Sequence, residues 1–337
     1  MGDLVHTLPA VAALRSRFPD ARIDWLVESR HREVLLDNPD VNRLIEVDTL
    51  GWRRRLYSPR TWREIRASIA RIREHRYDIV LDLQGTIKSA VSAYLARSDR
   101  RIGFGAGHLK ERAAALLYTE RVAANGGRPH VIDRHLGLLR AALDVDIETK
   151  VRRFPIAVSP AAEAAAEGEL SRMNLREYVL LNPGGSWVTK RWSPEKFGRL
   201  ASAILREWKL ESLVVWGPGE EGMAQEVLEA SNGAARLAPR TSLRELVPYI
   251  RRARLLVSGD SGPLHLASAC GVPAVGIFGP TDPARNGPFG EGDEAVWKHV
   301  ACAPCYKQRC PGYGNVCLIS IEVDDVLGAV RKRLAAK

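Results

Sequence analysis

Short, uninterrupted apolar runs alternate along this chain with longer stretches in which apolar residues recur every three or four positions. Tyr178-Val179-Leu180-Leu181, Leu213-Val214-Val215-Trp216, Ala253-Arg254-Leu255-Leu256-Val257 and Ala274-Val275-Gly276-Ile277-Phe278 have the length and character of strands buried on both faces. In the first half, residues 22–27, 43–47 and 78–83 read as strands. Helical periodicity predicts helices over 9–14, 61–75, 136–143 and 161–170, from Ser193-Pro194 onward, over 264–270 with Gly271 as the closing residue, and from Val323 to the region of Leu334. Strand followed by helix, repeated, is the signature of an α/β chain with parallel sheets. The periodicity lapses between Asp144 and Pro160, where Pro155 also enters. The boundary is placed there, giving two doubly wound domains, residues 1–152 and 153–337, that face each other across a cleft.

The amino end does not fit a complete first domain. Gly2-Asp3 reads as the loop before the first helix, and such a loop follows a strand, yet no strand precedes it. The expectation is that the first, usually central, strand lies upstream of Met1.

Composition narrows the class only a little. Hydrophobic residues make up 45% and charged residues 27%, ordinary values for a folded domain pair. No apolar run reaches the roughly 18 residues of a membrane span and no signal peptide opens the chain, so a cytoplasmic location is expected. The net charge of +10 favours an anionic partner: nucleic acid, an acidic membrane surface or a phosphorylated substrate.

Candidate chemistry sits where predicted strands run into helices. Ser258-Gly259-Asp260-Ser261-Gly262-Pro263-Leu264-His265 joins a buried strand to a helix; its free N–H groups suit a phosphate and Asp260 suits sugar hydroxyls. Helix capping by Asp260 and Ser261 is the plain alternative. A second loop after a strand, Asn182 to Trp192, offers Gly184, Gly185 and Ser186 for close backbone approach and Lys190 as a point charge, without the Gly-Lys-Ser/Thr order of a P-loop. A third, Gly217-Pro218-Gly219-Glu220-Glu221, ends in carboxylates suited to ribose hydroxyls. Three such loops in one half of the chain favour a nucleotide-sugar site over three coincidental caps.

With these loops the chain resembles the ADP-heptose:lipopolysaccharide heptosyltransferases of glycosyltransferase family 9. The resemblance spans nearly the whole length. It rests on Gly2-Asp3 with His6-Thr7-Leu8-Pro9, on Asp82-Leu83-Gln84-Gly85 with Lys88-Ser89, on Arg101-Ile102-Gly103-Phe104, on Lys190-Arg191-Trp192, on Asp260 to His265, and on Phe278-Gly279-Pro280-Thr281-Asp282-Pro283. The first of these motifs, with the Arg- and Trp-rich stretch before Tyr77, looks most like the members that add the first heptose.

The resemblance implies a GT-B fold, with the acceptor on the first domain, ADP-heptose on the second, and a final helix that crosses back to the first domain. It implies an inverting displacement in which Asp3 is the base and Lys190 neutralises the leaving diphosphate. The donor would be held by Gly185, Ser186, Glu220, Glu221, Asp260, Ser261, Gly262, Leu264 and His265. The acceptor, a Kdo-bearing lipid A at the inner face of the membrane, would meet Arg63, Lys88, Arg101 and Arg134. Asp3 as a plain helix cap is the competing reading. No cofactor and no metal are implied: the donor loops hold no Asp-x-Asp pair, and lysine with a helix end can replace a divalent cation.

Two features stand outside that core. Trp52 to Arg76 holds nine arginines among Trp52, Tyr57 and Trp62; lipid-core phosphates, a solvated helix face and nucleic acid rank in that order as its purpose. Cys302-x2-Cys305-x4-Cys310-x6-Cys317 is dense enough for a metal knuckle but not in a standard zinc spacing; a structural zinc, free thiols and a regulatory disulfide all remain open. Another nucleotide-sugar enzyme of the same fold, such as an epimerase, is the alternative function. A nucleic-acid-binding protein ranks below it because the glycine loops have no role there.

Overall fold

The structure, a computed structural model, describes residues 1–123, 130–144 and 152–335. A single helical turn, α1 (Gly2–Val5), precedes α2 (Leu8–Arg17). Then come β1 (Asp24–Glu28), β2 (Arg43–Val47), α3 (Thr49–Arg54), α4 (Pro59–Ile72), β3 (Ile79–Asp82), α5 (Ile87–Leu95), β4 (Arg100–Phe104), β5 (Glu120–Val122) and α6 (Val131–Leu143). The second half runs α7 (Pro160–Arg172), β6 (Tyr178–Asn182), α8 (Pro194–Trp208), β7 (Glu211–Val214), α9 (Glu221–Ala230), β8 (Ala235–Leu237) and α10 (Leu243–Arg252). It continues with β9 (Leu255–Gly259), α11 (Gly262–Ala269), β10 (Ala274–Phe278), α12 (Pro283–Asn286), β11 (Glu294–Trp297), α13 (Val316–Ile319) and α14 (Val323–Ala335). The chain divides into two compact units, His6–Ala157 and Val158–Lys337, and the second also takes in Met1–Val5. Residues 145–151, within the stretch where the boundary was expected, lie outside the described residues.

In the His6–Ala157 unit every strand pairing is parallel, in two sheets: β1 with β2, and β3-β4-β5. Ile102, Phe104, Leu138 and Ala142 close one small core, between β4 and α6. Leu26 of β1 and Val80 of β3 pack on a second core around Ile45, Ile72 and Ala96. His6 and His135 are buried, and the His135 ring Nδ1 lies 3.2 Å from the His6 carbonyl oxygen, tying the segment before α2 to α6.

The other unit carries one six-stranded parallel sheet in the order β11-β10-β9-β6-β7-β8. Its strands are the apolar runs of the sequence, and Val179, Leu181, Val214, Leu255, Val257 and Ile277 lie fully or nearly fully buried. From β6 the chain winds outward through β7 and β8, then returns to β9 on the other side of β6 and winds the opposite way. The order therefore reverses between β6 and β9. Loops leaving the carboxyl ends of two such strands diverge and leave a crevice, where ligands of open α/β sheets bind.

Local signals explain the helices that flank this sheet. Ser193 caps α8 by accepting from the Lys196 N–H, with Pro194 in the first turn. Gly198 lets α8 lie directly on α9, since a Cβ there would meet Ala230 Cβ at 2.5 Å and the Val227 carbonyl oxygen at 2.7 Å. One expectation needs correction. Gly2-Asp3 is not an open loop but part of α1, whose turn is closed by the Leu4 N–H donating to the Met1 carbonyl oxygen. The last helix, α14, packs on α8 and on β9, β10 and β11 of its own unit, where Val326 and Val330 complete that core.

Candidate active site

Two loops meet at the reversal point. After β6, Asn182 donates through Nδ2 to Ser258 Oγ (2.9 Å) and Ser261 Oγ (3.0 Å), stitching the loop to the end of β9. The chain then crosses Gly184 and Gly185 into a 3-10 turn, Val188–Lys190. Gly259 is required for this approach: a Cβ there would collide with the Lys190 carbonyl oxygen. As a result the Lys190 side chain enters beside Asp260. Its Nζ donates to Asp260 Oδ2 at 2.6 Å and lies 4.4 Å from the Trp187 ring centroid, a cation–π arrangement.

Asp260 is the most heavily engaged side chain of the site. Its carboxyl is almost fully buried, with Oδ2 accepting from Lys190 and from Thr281 Oγ1 (2.7 Å), while His265 Nε2 lies 3.3 Å from Oδ1. An ionised carboxylate can only accept, so Nε2 carries the proton of that bond. Burial alone would raise the Asp260 carboxyl. The His265 hydrogen bond and the Lys190 charge outweigh it and hold the group well below the usual carboxylate range.

This corrects the role expected from the sequence. Asp260 does not stand open to sugar hydroxyls, because three protein donors already take most of its roughly four lone-pair positions. It is neither a bare helix cap, since no N–H of α11 bonds to it; Ser261 holds the cap position, without a side-chain cap bond. The first N–H groups of α11 therefore point out of the helix from Ser261, Gly262 and Leu264, and Leu264 is buried beneath them.

The third loop behaves differently from expectation as well. Glu220 accepts from the Gly185 N–H through Oε1 (2.9 Å) and the Gly217 N–H through Oε2 (2.9 Å), so it clamps two glycine loops together. A Cβ on Gly184 would meet that carboxylate and push the Glu220 side chain out of its place. Glu221, at the start of α9, and Ser186 are exposed.

Asp3 is exposed on α1, and α1 packs on α11. Met1 lies against Gly262, and a Cβ on Gly2 would sit 2.7 Å from His265 Cδ2. Asp3 thus stands on a turn that rests on the same helix and the same histidine that support Asp260.

The residues expected at the acceptor side lie in the other unit and are more occupied than the sequence suggested. Lys88 donates to Glu28 Oε1 at 2.6 Å, and Glu28 also accepts from Thr49; burial raises the Glu28 carboxyl, but these bonds outweigh it and lower it. Arg101 donates to the Leu117 (3.1 Å) and Ser98 (2.6 Å) carbonyl oxygens and stacks over Tyr94. Its guanidinium is spent mainly on the fold. The Arg134 guanidinium lies 4.5 Å from the Phe104 ring centroid. Arg63 is exposed on α4. Asp82 accepts from the Gln84 and Gly85 N–H groups and from the Tyr118 hydroxyl (2.6 Å), so the Asp-Leu-Gln-Gly motif is a self-capped turn.

Sequence reasoning passed over Thr281, Trp187, Asn182 and Ser258. All four lie in or beside motifs that were recognised, and partners this distant in the chain leave no periodic signal. The four cysteines of the 302–317 loop are free thiols lining a cavity of about 120 Å³. Among the described residues no three ligating side chains are arranged to hold a metal. An Asp-x-Asp pair does occur outside the donor loops, at Asp144 and Asp146; Asp146 lies outside the described residues.

Comparison with known proteins identifies the family. Residues 65–314 match glycosyltransferase family 9 (heptosyltransferase). Lipopolysaccharide heptosyltransferase 1 of Pseudomonas aeruginosa is 30% identical over 312 residues, covering 92% of this chain and 84% of that protein. The protein of the same name from Campylobacter coli is 28% identical over 85% of this chain and 83% of its own length. Among solved structures, the E. coli heptosyltransferase WaaC with ADP superposes with a TM-score of 0.78 at 25% identity, over 99% of this chain and 97% of that one. The fold is that of the GT-B heptosyltransferases, and the chain belongs to glycosyltransferase family 9, the heptosyltransferases.

Proposed function

We propose that this protein transfers heptose from ADP-heptose to the Kdo-bearing inner core of lipopolysaccharide, at the cytoplasmic face of the inner membrane. The observation that carries the donor side is the Lys190–Asp260 pair at the strand reversal, beside the amino end of α11, where Ser261 makes no side-chain cap bond. Asp260 fixes the ammonium while leaving it two more protons to donate, and a diphosphate is the group that such an ammonium with a helix end would bind. Gly185, Ser186, Gly262 and Leu264 contribute backbone to the same crevice, and Glu221 is the carboxylate left for ribose. His265 and Asp260 position; they do not react.

In the displacement, the acceptor oxygen bonds to the anomeric carbon as the bond from that carbon to the diphosphate breaks. The acceptor proton passes to Asp3, and the electron pair leaves with ADP, where Lys190 and the α11 N–H groups meet the developing charge. The seating of α1 on α11 supports Asp3 as that base. No step calls for a metal. Arg63, Lys88 and Arg134 serve the acid groups of the acceptor, with Lys88 exchanging Glu28 for an acceptor carboxylate, while Arg101 holds the Ser98 and Leu117 backbone.

Acceptor-dependent release of ADP tests this reading. Purified protein should release ADP from ADP-heptose when given heptose-free lipopolysaccharide, and faster than it releases UDP from UDP-sugars. Equal rates with the two donors would remove the heptose assignment. Preference for an acceptor that already carries one heptose would reassign the protein to a later step.

A further inference from the structure

We propose that the face of the His6–Ala157 unit formed by the α3–α4 segment, α5 and the 3-10 turn Arg112–Leu117 docks on an anionic lipid bilayer. This rests on the lipid-acceptor reading only for its biological setting; the surface itself stands on exposure and charge.

Large apolar side chains stand out from this face rather than inward. Between α3 and α4, Tyr57 is fully exposed and Leu56 is 48% exposed, with Trp62 next to them on the first turns of α4. On α5, Ile87, Val91 and Tyr94 fall at i, i+4 and i+7 and are 46%, 41% and 56% exposed, so one whole stripe of the helix faces water. Leu116, 79% exposed, lies on the 3-10 turn packed beside α5. These elements are continuous: α4 touches α5, and the Lys88–Glu28–Thr49 bonds tie the amino ends of α5 and α3 together. Single exposed apolar residues need no explanation, but a set carried by adjoining elements of one unit marks a contact surface.

Charge selects the partner. The carboxylates near this face are already engaged: Asp48 and Glu64 with Arg55 and Arg60, Glu28 with Lys88, and Glu111 with the Ile87 N–H. Arg53, Arg54, Arg63 and Arg66 are exposed and, among the described residues, have no carboxylate within salt-bridge reach. An apolar protein partner would leave these arginines desolvated and unpaired. Nucleic acid would use the arginines and stack on Tyr57 or Trp62, but it gives no role to Leu56, Ile87, Val91 and Leu116. A bilayer of acidic lipids accommodates both: aliphatic tips enter the headgroup boundary, aromatics lie at its level and each arginine is attracted to the anionic surface.

Co-sedimentation of the full chain with vesicles provides the test, beside transfer activity measured on detergent-dispersed acceptor. The protein should pellet with vesicles of phosphatidylethanolamine and phosphatidylglycerol, remain in solution with phosphatidylcholine vesicles, and be released by high salt. The doubly substituted Leu56→Ser/Tyr57→Ser and Val91→Ser/Leu116→Ser proteins should each lose about tenfold in bilayer partition, with melting temperatures unchanged because all four side chains are exposed. No pelleting by the unsubstituted chain, undiminished pelleting by both variants, or tighter binding to duplex DNA than to acidic vesicles at equal salt would overturn the proposal. Vesicle binding without transfer would sink the acceptor reading and leave this surface standing; transfer without vesicle binding would do the reverse.

Discussion

Lys190 and Asp260 show how little of a residue's role follows from its type. A carboxylate in a sugar-binding loop invites a hydrogen bond to sugar, yet burial makes an unpaired carboxylate costly, and Lys190, Thr281 and His265 answer that cost. Replacing Asp260 by Ala strands the Lys190 ammonium in a site where it is 14% exposed, and stability should fall by about 3–5 kcal/mol in urea denaturation. The pH dependence has a definite sign. Because the folded Asp260 carboxyl is held below its unfolded value of about 3.9, its contribution is complete above that pH and is lost only as pH falls further. Between pH 5 and 9 the melting temperature should therefore carry no Asp260 transition. Asp3→Ala should lower kcat about 100-fold with little change in the KM for ADP-heptose, as for loss of a general base. Lys190→Ala should impair both constants, since the diphosphate is held before and during reaction. Equal kcat for Asp3→Ala and the parent protein would remove Asp3 from the mechanism.

At the level of elements, the glycines at strand ends decide whether the loops can meet. Gly259→Ala would push the Lys190 turn away from β9, and the KM for ADP-heptose should rise about tenfold or more while the far-UV circular dichroism stays unchanged. A KM within twofold of the parent would show that the close approach is not needed. Tyr118→Phe should cost roughly 1–3 kcal/mol by leaving a buried Asp82 oxygen with one bond fewer. Burial, the Asp82 charge and its hydrogen bond push the Tyr118 phenol above its ordinary range. Its stabilising contribution is therefore complete below about pH 10 and lost above it.

The strands β6 and β10 and the start of α8 were legible because continuous apolar runs and a Ser-Pro start signal them locally. The three-residue strands β5 and β8 and the edge strand β11 were not, because pairing with a neighbour defines them and no period forms in so few residues. The chain traces of α1 and α14 depended on which surface each would find. For the site, the loops and Lys190 were readable, whereas Glu220's clamp on Gly185 and Gly217 is a tertiary fact with no sequence period behind it.

For the whole molecule, the excess of basic residues finds a location rather than a diffuse role: several of the arginines without carboxylate partners lie on α3 and α4 of one unit, while the proposed diphosphate site lies in the other. Among the described residues no helix is long and apolar enough to cross a membrane. The bilayer-facing surface proposed above would meet a lipid-borne acceptor, with affinity falling as salt rises. The most direct measurement is mass spectrometry of heptose-free Kdo-lipid A after incubation with ADP-heptose and the purified protein. The account predicts one added heptose of inverted anomeric configuration and one ADP released per heptose transferred. An unmodified acceptor under conditions where the protein binds ADP would contradict it.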